Sequence, residues 1–196
     1  MTKIIPISEI EKYKEEILET FKKGGVVLYP TDTQYGLGVI ARNRLAVEKI
    51  NEIKKTGDKA QSIIVSDIEM ANKCVNINDL AREVMKKYLP GALTIILPAK
   101  DKELAKSRGN EKEIGVRIPD KKEILDIVKE LGEPITTTSA NITGQEPATN
   151  CVDILNGLEG IDLAIDGGEL GNKASTIVLF NDSDFEILRQ GSLVIN

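Results

Sequence analysis

The chain lacks histidine and tryptophan altogether, and it has two cysteines among 196 residues. Without histidine there is no imidazole base, no histidine-dependent nucleophile and no imidazole metal ligand. Two cysteines cannot build a four-cysteine zinc cluster or a disulfide framework. Cys74 and Cys151 lie far apart and read as reduced, partly buried thiols. Aromatic residues make up 4% of the chain, and 26 Lys+Arg against 31 Asp+Glu leave a formal net charge of −5. An acidic, aromatic-poor chain is a poor design for gripping nucleic acid over its whole surface or for stacking single-stranded bases. A local basic patch remains compatible with it. No stretch approaches the roughly 20 apolar residues of a membrane span. The start, MTKIIPISEIEKYKEE, reaches charged residues before any apolar run of signal-peptide length. These absences predict a cytoplasmic protein with no membrane contact. Asn141-Ile142-Thr143 fits a glycosylation sequon, which has no meaning without secretion.

What is present is a globular balance of 41% hydrophobic and 29% charged residues. At about 100–200 residues per domain, the expectation is one domain over residues 1–196. Ser8-x-x-Glu11 has the form of a capping box, and Ile10, Tyr13, Ile17 and Phe21 then share a helical face ended by Gly24-Gly25. Asn43 is placed to cap a helix carrying Leu45, Ile50 and Ile53 and stopped by Gly57. Further helices are predicted over 68–74, around Leu80–Tyr88, after Asp120 as cap with Gly132 as stop, and around 152–158. Short apolar or β-branched runs predict strands at 26–29, 37–41, 62–65, 93–97, 114–118, 135–138, 163–165, 176–180, 185–188 and 193–195. Helices and strands alternate for most of the length and strands cluster at the end. That order predicts an α/β fold with a mixed sheet.

Ligands of open α/β sheets bind beyond the carboxyl ends of strands. Three such ends are dense in hydroxyls and small residues: Tyr29 to Gly38, Thr136 to Gly144, and Asp166-Gly167-Gly168 with Lys173-Ala174-Ser175-Thr176. Loops of this kind present backbone N–H groups and hydroxyls to anionic oxygens. Each alone is equally a plain turn whose hydroxyls cap nearby backbone. Gly36-x-Gly38-x-x-Ala41 resembles a dinucleotide fingerprint, but Gly36 lies well past the strand and no helix opens from it. No GxxxxGK[ST] loop is present. Lys54, Lys55 and Lys59 cluster near a helix C-terminus, a placement the helix dipole favours in any case. Arg117 and Arg189 sit among aliphatic residues. A guanidinium there needs an acidic partner or a wet cavity, where its fork suits carboxylate or phosphate.

Read together, Tyr29-Pro30-Thr31-Asp32-Thr33 with Tyr35-Gly36-Leu37-Gly38, Leu89-Pro90-Gly91-x-Leu93-Thr94, Val116-Arg117-Ile118-Pro119, Thr138-Ser139-Ala140-Asn141-x-Thr143-Gly144, Ser175-Thr176-Ile177-Val178 and Leu188-Arg189-Gln190-Gly191 resemble the YrdC/Sua5/TsaC family of threonylcarbamoyl-AMP synthases, of the short single-domain type. The resemblance covers nearly the whole chain. It implies a twisted mixed sheet with flanking helices around a positively lined cavity, the YrdC/DHBP synthase-like fold. It implies a nucleotidyltransferase that makes threonylcarbamoyl-AMP and diphosphate from L-threonine, bicarbonate and ATP, with Mg²⁺ accompanying ATP. The product would serve t6A37 modification of tRNA, completed by downstream transfer proteins. By motif, Lys54, Ser139, Asn141 and Arg189 would hold ATP, and Lys59 could reach its phosphates as a point charge. Thr31, Arg117, Thr137 and Ser175 would hold L-threonine, with Arg117 on its carboxylate, and Tyr35 would shape the pocket near the amine and bicarbonate. No metal ligand on the protein is implied. One departure stands out: Thr56 and Gly57 occupy positions where the family's K-x-R-P motif has Arg and Pro. Two other readings stay open. One is a paralogue that binds nucleotide or double-stranded RNA without this activity; the other is an α/β protein with a different acid–amine ligation. Contact with tRNA or double-stranded RNA would be confined to one face.

Overall fold

Residues 2–57, 60–171, 173–181 and 183–195 are described by the computed structural model. Their strands are β1 (Lys3–Pro6), β2 (Val27–Tyr29), β3 (Gly36–Gly38), β4 (Ser62–Ile64), β5 (Leu93–Pro98), β6 (Glu113–Arg117), β7 (Ile135–Ser139), β8 (Leu163–Asp166), β9 (Thr176–Phe180) and β10 (Phe185–Arg189). They form one ten-stranded sheet in the order β1-β8-β2-β3-β7-β4-β6-β5-β9-β10. The pairs β1/β8, β2/β8, β4/β6 and β5/β9 are parallel, and the other neighbours are antiparallel. A parallel pair needs a long crossover. Helices α1 (Lys14–Lys22), α2 (Arg44–Ile53), α3 (Ile68–Cys74), α4 (Asp79–Tyr88), α5 (Lys102–Ser107), α6 (Lys122–Leu131) and α7 (Cys151–Gly157) lie in the segments between strands.

Alternation along β2 shows how the layers are assigned. Val27 and Tyr29 point to one face, where Ile17, Phe21, Ile124 and Val128 of α1 and α6 cover them. Leu28 points the other way and packs with Val47, Ile50 and Ile154 of α2 and α7. A third core of Ile95, Leu97, Ile114 and Val116 is closed by residues of α3, α4 and α5. Among the described residues no helix is long and apolar enough to cross a membrane.

Gly36 and Gly38 have a packing role. A methyl group on Gly38 would lie 2.7 Å from the Tyr29 ring and from the Thr136 carbonyl. The two glycines leave room for the Tyr29 ring, whose hydroxyl donates to Thr136 O at 2.9 Å. They sit in a strand, so the fingerprint they resemble has no structural basis here.

Several local expectations are corrected. The capping box at Ser8 does not form: Ile7–Glu9 is a 3-10 turn, and α1 starts at Lys14 with no side-chain cap. Pro6 extends the chain into that turn, and Lys3–Pro6, unassigned from sequence, pairs with β8 as an edge strand. Helix α6 is preceded by Lys121 rather than capped by Asp120. Helix α2 ends at Ile53, before Gly57, and Lys55 takes a left-handed φ of 50°. The short α5 follows its cap Asp101 and has no sequence forecast. Residues 193–195 form no strand.

The cap at Asn43 does form, its side chain accepting from Ala46 N at 3.2 Å. Asn43→Ala should lower stability by about 1 kcal/mol, read as a shifted denaturation midpoint with an unchanged m-value.

Candidate active site

The strand ends and the C-terminus of α2 enclose a cavity of about 340 Å³. Its walls carry Thr31 and Tyr35 from the β2–β3 turn, Arg117 from the end of β6, Thr137, Ser139 and Asn141 from β7 and its exit, Ser175 before β9, Arg189 at the end of β10 and Lys54 beyond α2. The sheet therefore brings together all the expected site residues except Lys59, which lies outside the described residues. No Asp or Glu is among the described lining residues.

The β2–β3 turn is built by its own hydroxyl. Thr31 Oγ1 accepts from the backbone N–H groups of Thr33 and Gln34, both at 3.2 Å. Such side-chain bonds fix a tight turn. They also leave little of the Thr31 hydroxyl for a ligand, since it further contacts Gln34 O at 2.7 Å and Thr33 Oγ1 at 3.0 Å.

Arg117 reaches into this turn. Its Nη2 donates to Asp32 Oδ1 at 2.5 Å and to Thr33 Oγ1 at 2.7 Å, with Thr31 Oγ1 at 3.4 Å. Both side chains of the ion pair are largely buried, 8% exposed for Arg117 and 13% for Asp32. Arg117 Nε is buried without a partner among the described residues. The acidic neighbour anticipated for a lone strand arginine is thus present alongside the cavity.

Ser175 and Arg189 form the opposite wall. Arg189 donates through Nε and Nη2 to Ser175 O at 3.1 and 2.8 Å. Ser175 Oγ lies 2.9 Å from Thr94 Oγ1. Desolvation at the wall, followed by the like charge of Arg117, lowers the pKa of Arg189, although the residue as a whole is exposed. Two guanidinium groups that repel one another across a cavity favour an anionic occupant.

Lys54 closes the loop after β7. Its ammonium donates to Ser139 O at 2.5 Å and Asn141 O at 2.8 Å, with Asn141 Oδ1 at 3.4 Å. Ser139 Oγ bonds Asn141 Oδ1 at 2.5 Å, and Asn141 Nδ2 donates to Gln145 O at 2.6 Å. Ser139, Asn141 and Lys54 therefore act as one braced unit. Thr56, in the position where the family motif has Arg, also lines the cavity.

Tyr35 is buried, and its hydroxyl is fully engaged. It contacts Asp166 Oδ1 at 3.1 Å, donates to Gly168 O at 2.8 Å and accepts from Gly167 N at 2.9 Å. Burial first, and the Asp166 carboxylate beyond it, push its pKa up. Its structural part is to tether the loop after β8, which leads on to Ser175. Tyr35→Phe should cost about 1 kcal/mol, because it removes the hydroxyl's bonds to the half-buried Gly167 and the exposed Gly168 backbone; chemical denaturation measures this.

Sequence reasoning singled out neither Asp32, Thr33 and Thr94 nor the Asn51–Gln61 pair, whose side chains meet at 2.9 Å. Thr94 faces Arg117 across β5/β6, and Ser62 faces Thr137 across β4/β7. Strand register alone creates these neighbours. Asp32 and Thr33 lie inside a strand end already noted for its hydroxyls, where a polar residue next to a candidate ligand is the available signal, and Thr94 ends one of the segments that carry the family resemblance.

The Sua5/YciO/YrdC family model, described as "Telomere recombination", matches residues 19–191. A putative threonylcarbamoyl-AMP synthase of Methanocaldococcus jannaschii is 39% identical, over 98% of this chain and 95% of its own. The crystal structure of P. abyssi Sua5 complexed with L-threonine superposes with a TM-score of 0.88 at 28% identity, covering 98% of this chain and 58% of that one. This chain thus spans less than two thirds of that Sua5. The crystal structure of E. coli YciO also gives a TM-score of 0.88 at 28% identity, covering 98% of this chain and 97% of that one.

Proposed function

This chain belongs to the Sua5/YciO/YrdC family, and from that premise we propose that it is a threonylcarbamoyl-AMP synthase, joining L-threonine, bicarbonate and ATP with release of diphosphate. The observation that carries this reading is a cavity walled by Arg117, Arg189 and Lys54, many hydroxyls and no described carboxylate. Such a site suits two anionic reactants, a triphosphate and an amino-acid carboxylate.

The chemistry asks little of a protein nucleophile. The threonine amine adds to bicarbonate, and water and the carbamate result. A carbamate oxygen then attacks the α-phosphorus of ATP, and diphosphate leaves. Positioning, charge neutralisation and exclusion of water are the catalytic demands. In this reading Lys54, Ser139, Asn141 and Arg189 hold the nucleotide, and Lys54 also fixes the loop that carries Ser139 and Asn141. Lys59 would add charge toward the phosphates. Arg117, Ser175, Thr137 and Thr31 surround the threonine, and Tyr35 sets the position of the loop beside it. Mg²⁺ would enter as part of the MgATP substrate, since the lining offers hydroxyl and amide oxygens rather than carboxylates. The product would pass to transfer proteins for t6A37 modification of tRNA, in the cytoplasm.

Protein supplied with MgATP, bicarbonate and L-threonine should release diphosphate in a threonine-dependent way. Folded protein giving no release above background overturns the proposal. A second reading follows from Thr56 on the cavity wall, where the family motif has an arginine: a paralogue that binds nucleotide or double-stranded RNA without this reaction. Thermal stabilisation separates the two. A synthase responds to ATP and further to threonine, and the paralogue does not respond to threonine.

A further inference from the structure

We propose that Asp32 is the seat for the substrate ammonium group, and that the Asp32–Arg117 pair is an internal salt bridge opened by the substrate's own two charges. The inference rests on the threonine-binding reading above and adds a residue that reading leaves unassigned.

The argument begins with the arginine fork. A carboxylate binds a guanidinium with two parallel bonds either through Nε and Nη2 or through Nη1 and Nη2. Both modes require Nη2. In this structure Nη2 has two hydrogens and two close acceptors, Asp32 Oδ1 at 2.5 Å and Thr33 Oγ1 at 2.7 Å. Nε has no partner, and no bond to Nη1 is present among the described residues. The guanidinium is therefore held by the one atom that any bidentate ligand must use. An incoming carboxylate must take one of these two hydrogens, from Asp32 or from Thr33, and because two carboxylates on one guanidinium repel each other, Asp32 is the acceptor that an anion displaces.

Displacement alone would leave Asp32 as an uncompensated carboxylate whose side chain is 13% exposed, although the residue as a whole is exposed. That state is unfavourable. An α-amino acid solves the problem because it carries both charges a short distance apart. Its carboxylate replaces Asp32 on Arg117, and its ammonium replaces Arg117 beside Asp32. One internal pair becomes two intermolecular pairs, with no charge left alone. No carboxylate is among the described lining residues; Asp32 lies between the lining residues Thr31 and Thr33 and is ion-paired with the lining Arg117. A hydroxy acid lacking the amine would open the pair without satisfying Asp32, so the pair selects zwitterions. Asp32 thus serves as a specificity-determining residue for the amine.

The test compares L-threonine with 2,3-dihydroxybutanoate, its analogue with a hydroxyl in place of the amine. Binding is measured by calorimetry on wild type, Asp32→Asn and Asp32→Glu, alongside diphosphate release. Wild type should bind L-threonine at least tenfold more tightly than the analogue. Asp32→Asn should weaken L-threonine at least tenfold and leave the analogue equal or tighter, and Asp32→Glu should restore part of the preference. Equal wild-type affinity for the two ligands overturns the inference, and this arm needs no variant to fold. Equal weakening of both ligands in Asp32→Asn assigns Asp32 to supporting Arg117 and overturns it too, as does equal tightening, which would make Asp32 a competitor only. Failure of the synthase reading looks different: amine-dependent binding persists in wild type while threonine-dependent diphosphate release is absent.

Discussion

Arg117→Ala should reduce threonine-dependent diphosphate release about a thousandfold while ATP still stabilises the protein against heat. Truncating one partner of a buried charge pair costs about 3–5 kcal/mol, much of it from the charge left behind. Here the remaining charge is Asp32, held 2.5 Å from Arg117 Nη2 in the native turn. The turn also loses the donor to Thr33 Oγ1. The variant should therefore be less stable as well as less active. Arg117→Lys separates the two effects. A lysine keeps the positive charge near Asp32 and should recover much of the stability. It lacks the planar fork, so threonine affinity should remain poor. Stability and diphosphate release recovering in parallel in the lysine variant would show that charge alone suffices and that fork geometry has no part.

The contrast between Arg117 and Lys54 shows what sequence could and could not provide. Both stood out as cations near strand or helix ends, and both reach the cavity. Their partners were invisible. Lys54 meets Ser139 and Asn141, and Arg117 meets a turn 84 to 86 positions away. Those meetings depend on β7 pairing with β3 on one side and β4 on the other, and on β6 lying parallel to β4. Hydrophobic runs locate strands but do not state which strands pair. The same limit explains Thr94, whose relation to Ser175 comes from the parallel pairing of β5 with β9. Helices with a strong cap and a clear stop, such as α2 at Asn43 and α6 at Gly132, were legible at those ends. The N-terminus was not, because Lys3–Pro6 gains its strand structure from β8, far along the chain. Local patterning thus set the elements and the long-range register set the site.

Gly191→Ala should be among the most damaging single methyl additions in the protein. A Cβ at this position would fall 2.3 Å from Ala174 O, 2.4 Å from Ser175 C and 2.5 Å from Thr176 N. All three are backbone atoms at the entrance to β9, so no side chain can swing aside to relieve the clash. Ordinary carbon contacts lie near 3.5–4.0 Å, and the segment after β10 would have to lift by about 1 Å. That movement pulls on bonds that join it to β9: Gly191 N to Thr176 Oγ1 at 2.9 Å, Ser192 N to Ala174 O at 3.0 Å and Thr176 Oγ1 to Leu193 O at 2.5 Å. Arg189 and Ser175 are joined across the same seam. A stability loss of about 3 kcal/mol follows from strain and weakened bonds together, and for a chain of this length it lowers Tm by roughly 6–12 °C. Activity should fall further than stability alone explains, since a displacement of about 1 Å at a positioning residue can cost a hundredfold. Gly157→Ala is the control. Nothing lies within 4 Å of a methyl group there, and the position ends α7, so alanine should leave activity intact and raise stability by a few tenths of a kcal/mol, about what a helical glycine-to-alanine change supplies at a helix end. Equal Tm values for the two variants would mean that the chain after β10 yields freely at Gly191, and that Arg189 owes its place in the cavity wall to its bonds with Ser175 alone.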